Sequence, residues 1–421
     1  MTSRWTAAAA TLGLLCACSA PSEKVVLELW AMGREGEVVS ELTAGFEASH
    51  PGVRVHVQQI PFQSAHEKLL TAFVGDATPD VAQLGNTWIP ELAVLGALAP
   101  LDGRVASSRA VPRDDYFPGI WATNVVDGTL YGIPWYVDAR LLFYRTDLLA
   151  RAGYDHPPRS WGEWMPMLEA IKRLPGPEHY SIFLPLNEFE PLLVLGLQAE
   201  EPLLREGGRL GNFRSPGFRR SLALYLRMFE EGLAPRATNT QIANAHHEFA
   251  RGYFSFYITG PWQIGEFKRR LPAELQDSWA TAPMPGPEGP GASSAGGSSL
   301  VVFKRSKHQD AAWQLIELLS SPEAQRRFYG LTGNLPPRRT SWEDPALRDD
   351  PRAAAFLDQL ERVKPLPQVP EWERIATQLL LVGEQAVHGK LSVDAAAEEL
   401  DARADRILEK RRWMLSREAR R

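Results

Sequence analysis

Tryptophan is the residue type in this chain best placed to do recognition chemistry. Trp30, Trp88, Trp135, Trp262 and Trp372 fall at the ends of apolar runs or beside Gly and Pro, not on helical stripes. An indole held at a loop edge offers a flat apolar face to the C–H face of a sugar ring, while neighbouring polar groups fix orientation. Trp262 is the most informative, because Gly260-Pro261 fixes the backbone just before it, at the end of the apolar run Tyr253 to Ile258. Trp164 and Trp313 lie inside helical patterns and read as core. Asp138 and Arg140 share strand parity, so both side chains project from one face, either as an ion pair or as polar groups lining a cleft.

Groups for covalent chemistry do not assemble in the sequence. Gly389-Lys390 lacks the hydroxyl residue of a phosphate loop, and no dinucleotide glycine pattern or nucleophile elbow is found. His66-Glu67 and His247-Glu248 lack the second histidine of a zinc helix. The expectation is therefore binding without a metal or cofactor. A paired-carboxylate glycosidase stays open, because its two acids need not be close in sequence.

The 421 residues are enough for two domains, and 44% hydrophobic with 23% charged residues is the composition of a globular chain. A formal charge of −5 provides no basic excess for nucleic acid. At the N-terminus, Arg4 precedes an uncharged run, Trp5 to Ala17, which is too short to span a bilayer. This pattern reads as an export signal covering residues 1–17. Leu15-Cys16-Ala17-Cys18 resembles the lipobox of bacterial lipoproteins. That resemblance implies cleavage before Cys18 and lipidation of its thiol, and so a protein outside the cytoplasm, in the periplasm or at the cell surface, anchored to the membrane.

The elements that must carry the tryptophans alternate in kind. Val25 to Trp30 reads as a strand, Glu37 to Ser49 as an amphipathic helix, and Val53, Val55 and Val57 alternate as a half-buried strand. Ser64-x-x-Glu67 reads as a capping box and Asp80 to Leu84 as a third strand, which together predict a parallel α/β sheet. Leu141 to Tyr144 and Tyr253 to Ile258 are further strands. Ser160-x-x-Glu163 and Ser215-Pro216 open helices. From Asp349 onward everything reads as helical.

Taken in order, these landmarks resemble the family 1 solute-binding proteins of ABC importers. The resemblance rests on Phe46-x₄-Pro51-Gly-Val-x-Val, Thr78-Pro-Asp-Val81, Gly132-Ile-Pro134 through Asp147, Pro158-Arg-Ser-Trp161, Gly260-Pro-Trp262, Gly296-Gly297 and Thr332-Gly-Asn-Leu-Pro336. It implies an α/β, two-lobed periplasmic-binding-protein fold (type II-like), with two discontinuous lobes joined by hinge strands. Lobe one would comprise 24–137 plus 281–334, and lobe two 138–280 plus 335–421.

The same resemblance implies a monomer that captures a sugar or oligosaccharide between the lobes. The protein would pass the sugar to ABC permease subunits served by a separate ATPase. The implied ligand contacts are Arg34, Glu35, Gln63, Asn86, Thr87, Trp88, Asp138, Asn187, Glu188, Gly260, Trp262, Gly297, Ser298 and Trp372, with Trp30 and Tyr136 completing the set. Thr87-Trp88 stands where maltodextrin binders often carry an Asp–Arg pair, a departure that argues against maltose itself. A polyamine, metal or anion in the same fold, or a secreted carbohydrate-active enzyme, are the alternatives.

Overall fold

The computed structural model describes residues 24–242 and 244–418. Cys16 and Cys18, in the segment that resembles a lipobox, lie outside that range. Nine principal strands follow in chain order: β1 (Val25–Met32), β2 (Val53–Ile60), β3 (Val81–Gly85), β4 (Gly132–Asp138), β5 (Leu141–Arg145), β6 (Tyr180–Phe183), β7 (Phe254–Thr259), β8 (Trp279–Ala282) and β9 (Gly296–Val302). They form two sheets, ordered β2-β1-β3-β9-β4 and β8-β5-β7-β6.

In the first sheet β1 pairs in parallel with β2 and β3, while β9 runs antiparallel to β3 and β4. Leu27, Leu29 and Ala31 of β1 are fully buried against Val38, Val39, Leu42 and Phe46 of the helix Gly33–Ser49. The apolar spacing that defines that helix is thus its core face. In the second sheet β5 is buried throughout its length, as expected of a strand covered on both faces. The chain leaves the first sheet at Asp138 and enters the second at Leu141, then returns between Ala282 and Gly296.

Local signals were legible to different degrees. Ser160 caps its helix by accepting from the Glu163 N–H at 3.2 Å, and Ser215 does the same for Phe218. Ser64 does not cap: the helix Phe62–Val74 begins directly after Pro61, and the Ser64 hydroxyl donates back to the Pro61 carbonyl. The first helix begins at Gly33 instead of Glu37, so Arg34 and Glu35 sit on its first turn and not in a loop. The positive φ of Gly33 (49°) makes that immediate reversal possible. The tail is not helical throughout: Val363–Lys364 forms a short strand beside Ser293–Ser294, and the proline-bearing stretch after it stays irregular up to Trp372. No helix among the described residues is long and apolar enough to cross a membrane.

Candidate functional site

A cavity of about 580 Å³ opens between the carboxyl ends of the first sheet's strands and the second sheet's helices. The first sheet and its flanking segments contribute Glu35, Asn86, Thr87, Trp88, Tyr136, Asp138, Gly297 and Ser298, and the second side contributes Trp262. These nine sequence-predicted residues are therefore brought together.

Their positions follow from the local chain. Asn86, Thr87 and Trp88 form a short 3₁₀ turn at the end of β3. Asn86 is 94% buried; its amide donates to Thr123 Oγ1 at 3.1 Å, and its Oδ1 has no partner among the described residues. Beneath the cavity floor, Gln83 accepts from the Met32 N–H at 2.8 Å and donates to Tyr136 Oη and Ser298 Oγ at 3.2 and 3.3 Å. Ser298 Oγ also donates to Tyr136 Oη at 2.9 Å. Burial, and then the Glu35 carboxylate, push the Tyr136 hydroxyl above the usual phenol range, so it stays protonated.

The polar centre is an ion cluster. Nη1 of Arg140 donates to both carboxylate oxygens of Asp138, at 2.8 and 2.7 Å, and Nη2 donates to Glu190 at 3.1 Å. The guanidinium carbon lies 4.6 Å from the centroid of the Trp262 ring, a cation–π contact. The shared parity of Asp138 and Arg140 thus produces the ion pair within the cleft wall. Burial pushes the Asp138 carboxyl up, against the opposing pull of Arg140.

Trp262 itself is 40% exposed. A Cβ on Gly260 would lie 1.9 Å from its ring, so Gly260 is the seat of the indole and does not line the cavity. Gly297 and Ser298 belong to strand β9, not to a turn. Gly297 has φ +121°, and a Cβ there would meet the Tyr136 carbonyl oxygen at 2.2 Å. Gly297→Ala should therefore push β9 away from β4 and cost about 1–3 kcal/mol of stability. A thermal melt checks this; an unchanged melting point would show that the strand tolerates the side chain.

The remaining predicted residues lie elsewhere. Trp372 is 1% exposed and belongs to the core of the second lobe. It starts a helix whose buried stripe is Trp372, Ile375, Ala376, Leu379 and Val382, so the indole is the first core position, and it is the next residue, Glu373, that lines the cavity. Trp30 is half-buried under Lys68, whose Nζ lies 4.7 Å from its ring centroid. Gln63 is exposed on its helix, and its neighbour Phe62 reaches the cavity. Asn187 and Glu188 are both tied to Asn239, at 2.7 and 2.9 Å. Arg34 pairs with Glu37 at 2.8 Å and lines an adjoining cavity of about 770 Å³ that shares Pro261 and Trp262 with the first.

Sequence reasoning missed Phe62, Phe189, Glu190, Asn334 and Glu373. Asn334 lies in the Thr332-Gly-Asn motif and donates to Glu35 Oε1 at 2.7 Å, a signal that was present but unassigned. A separate cavity of about 530 Å³, lined by Leu197, Leu203, Lys364 and Val369, gathers none of the predicted residues. Among the described residues no cluster of His, Cys, Asp and Glu could hold a metal ion.

Two α/β sheets, two strand crossings and a polar, tryptophan-bearing cleft between them define a two-lobed binding protein of the periplasmic type. The chain belongs to the bacterial extracellular solute-binding protein family, whose model matches residues 32–326. It is similar to the sugar-binding protein MalE from the phytopathogen Xanthomonas citri, with 54% identity, 93% of this chain and 99% of that one covered, and a TM-score of 0.91. It is also similar to the diacetylchitobiose binding protein DasA of Streptomyces coelicolor, with 25% identity over 83% of this chain and 81% of that one. The uncharacterized lipoprotein in the oleD 5′ region of Streptomyces antibioticus is 27% identical over 90% of this chain and 87% of its own.

Proposed function

We propose that this protein captures a sugar or oligosaccharide in the inter-lobe cleft and delivers it to an ABC permease with a separate ATPase. The observation that carries this reading is Trp262, an exposed indole on a rigid Gly260-Pro261 platform inside a polar cleft. The names of MalE and DasA, a sugar-binding and a diacetylchitobiose binding protein, support it.

The ring would stack on Trp262, and its hydroxyls would bond Asn86, Glu35, Ser298 and the Asp138–Arg140 pair. The lobes would divide as 24–137 with 281–334 and 138–280 with 335–421. Bonds made to both lobes at once stabilise the closed form, so ligand shifts a hinge equilibrium and the closed monomer is what the permease engages. No covalent step is involved.

Thermal-shift and calorimetric titration of the protein against a panel of neutral mono- and oligosaccharides tests the reading. A binder is stabilised by RT ln(1 + [L]/Kd), about 2.7 kcal/mol at a hundredfold excess over Kd, and returns the sugar intact. Conversion of the sugar, or no stabilisation by any carbohydrate, would refute it.

The anchor is proposed at Cys18, preceded by Ala17, and the lipoprotein among the relatives supports it. Lipid chains contribute about 0.8 kcal/mol per buried CH₂, so two or more hold a protein firmly at a membrane. Cys18→Ala should release the protein from the membrane fraction or block its processing, whereas Cys16→Ala should do neither. The reverse pattern would overturn the assignment.

A further inference from the structure

The cleft wall is unbalanced in charge. Among the described residues four carboxylates line it, Glu35, Asp138, Glu190 and Glu373, against the one guanidinium of Arg140. That one cation is already divided between Asp138 and Glu190. Glu35 is held by neutral groups, the Asn334 amide and the Tyr136 hydroxyl, and neither Glu35 nor Glu373 has an ion-pair partner among the described residues. The cations lining the adjoining cavity are committed as well: Arg34 to Glu37, Lys268 to Asp350 and Arg269 to Glu266. A second and independent feature points to a ligand of the same kind. Asn86 Oδ1, on a side chain 94% buried and lining the cavity, is an acceptor that no donor among the described residues reaches. A low-dielectric cleft lined by one sign of charge focuses its field on whatever enters.

We infer that the cleft selects among sugars by charge. It accepts donor-rich neutral sugars, gains affinity from a protonated amino group and rejects sugar acids, with Glu35 and Glu373 as the specificity-determining carboxylates. This rests on the sugar-binding reading above and narrows it to a substrate class.

The test is calorimetric titration of the full mature protein with maltose, cellobiose and trehalose, each compared with its 6-amino-6-deoxy and its 6-carboxylate analogue. For whichever parent binds, the amine should bind at least about tenfold more tightly than the carboxylate, and raising the salt concentration should narrow that ratio. Glu35→Gln and Glu373→Gln keep shape and remove charge, so each should shrink the amine-to-carboxylate ratio severalfold, whatever it does to the parent sugar. A carboxylate analogue that binds as well as its amine, with a neutral parent that also binds, would overturn the charge selection and leave the sugar reading standing. If neither these nine compounds nor any sugar of the wider panel binds, both fall.

Discussion

Replacing Trp262 by alanine should weaken binding of the best sugar by about 2–4 kcal/mol, the loss typical of a buried aromatic anchor, while shifting the ligand-free melt little. The indole is 40% exposed, so little core packing is lost with it. Gly260 against the ring and Arg140 4.6 Å from its centroid limit how the indole can turn, so little rotamer freedom remains to be frozen when a sugar ring packs on its exposed part. Trp372→Ala is the contrasting variant. That side chain is 1% exposed in a core with Ile375, Leu379 and Val382, and its removal should lower stability by about 3–5 kcal/mol. Calorimetric titration alongside thermal melts separates the two. A normal affinity in Trp262→Ala would move the recognition surface to another part of the cleft.

Arg140→Met should be the most disruptive single change in the cleft wall. Arg140 is 14% exposed and holds Asp138 and Glu190, which are 24% and 26% exposed. Without it two carboxylates face each other with no cation between them, at an expected cost of about 2–4 kcal/mol. The pH dependence has a definite sign. Burial already holds the Asp138 carboxyl above its ordinary range, and Arg140 is the group opposing that rise. Removing Arg140 raises it further. A carboxyl whose folded-state pKa exceeds its unfolded value destabilises the fold once ionised. The deficit of Arg140→Met should therefore be largest at neutral pH and shrink as the pH falls through the raised pKa towards the ordinary carboxylate range. Arg140→Met/Asp138→Asn/Glu190→Gln should recover most of the loss. A single variant that melts like the parent at every pH would show that the cluster has no structural role.

The sheets were legible because their signals are local. Alternating valines, apolar runs and Pro-Gly stops identify β1, β2, β5 and β7 without knowledge of their partners. The cleft was legible where its lining residues sit at strand ends, as Asn86, Asp138 and Ser298 do. It was illegible where a helix decides. Trp372 follows a proline-rich stretch and looks like a loop aromatic, yet the spacing to Ile375, Ala376 and Leu379 turns it inward. Contacts such as Glu35 with Asn334, 299 residues apart, depend on how distant stretches of chain are brought together, and no short pattern encodes that.

The position of β9 has a further consequence, for the timetable of synthesis. This strand lies between β3 and β4, and Gln83 of β3 and Ser298 of β9, which are hydrogen-bonded, are 215 residues apart in the chain. At about 5–20 residues per second, the ribosome needs on the order of 10–40 s to supply the missing strand after β3 has emerged. Through that interval the first sheet has an open seam where its central partner belongs, and the cost of closing so long a loop has yet to be met. The N-terminal third cannot lock into its final form by itself. A chain that stays unfinished until most of it has been made is one that can still be threaded through a membrane.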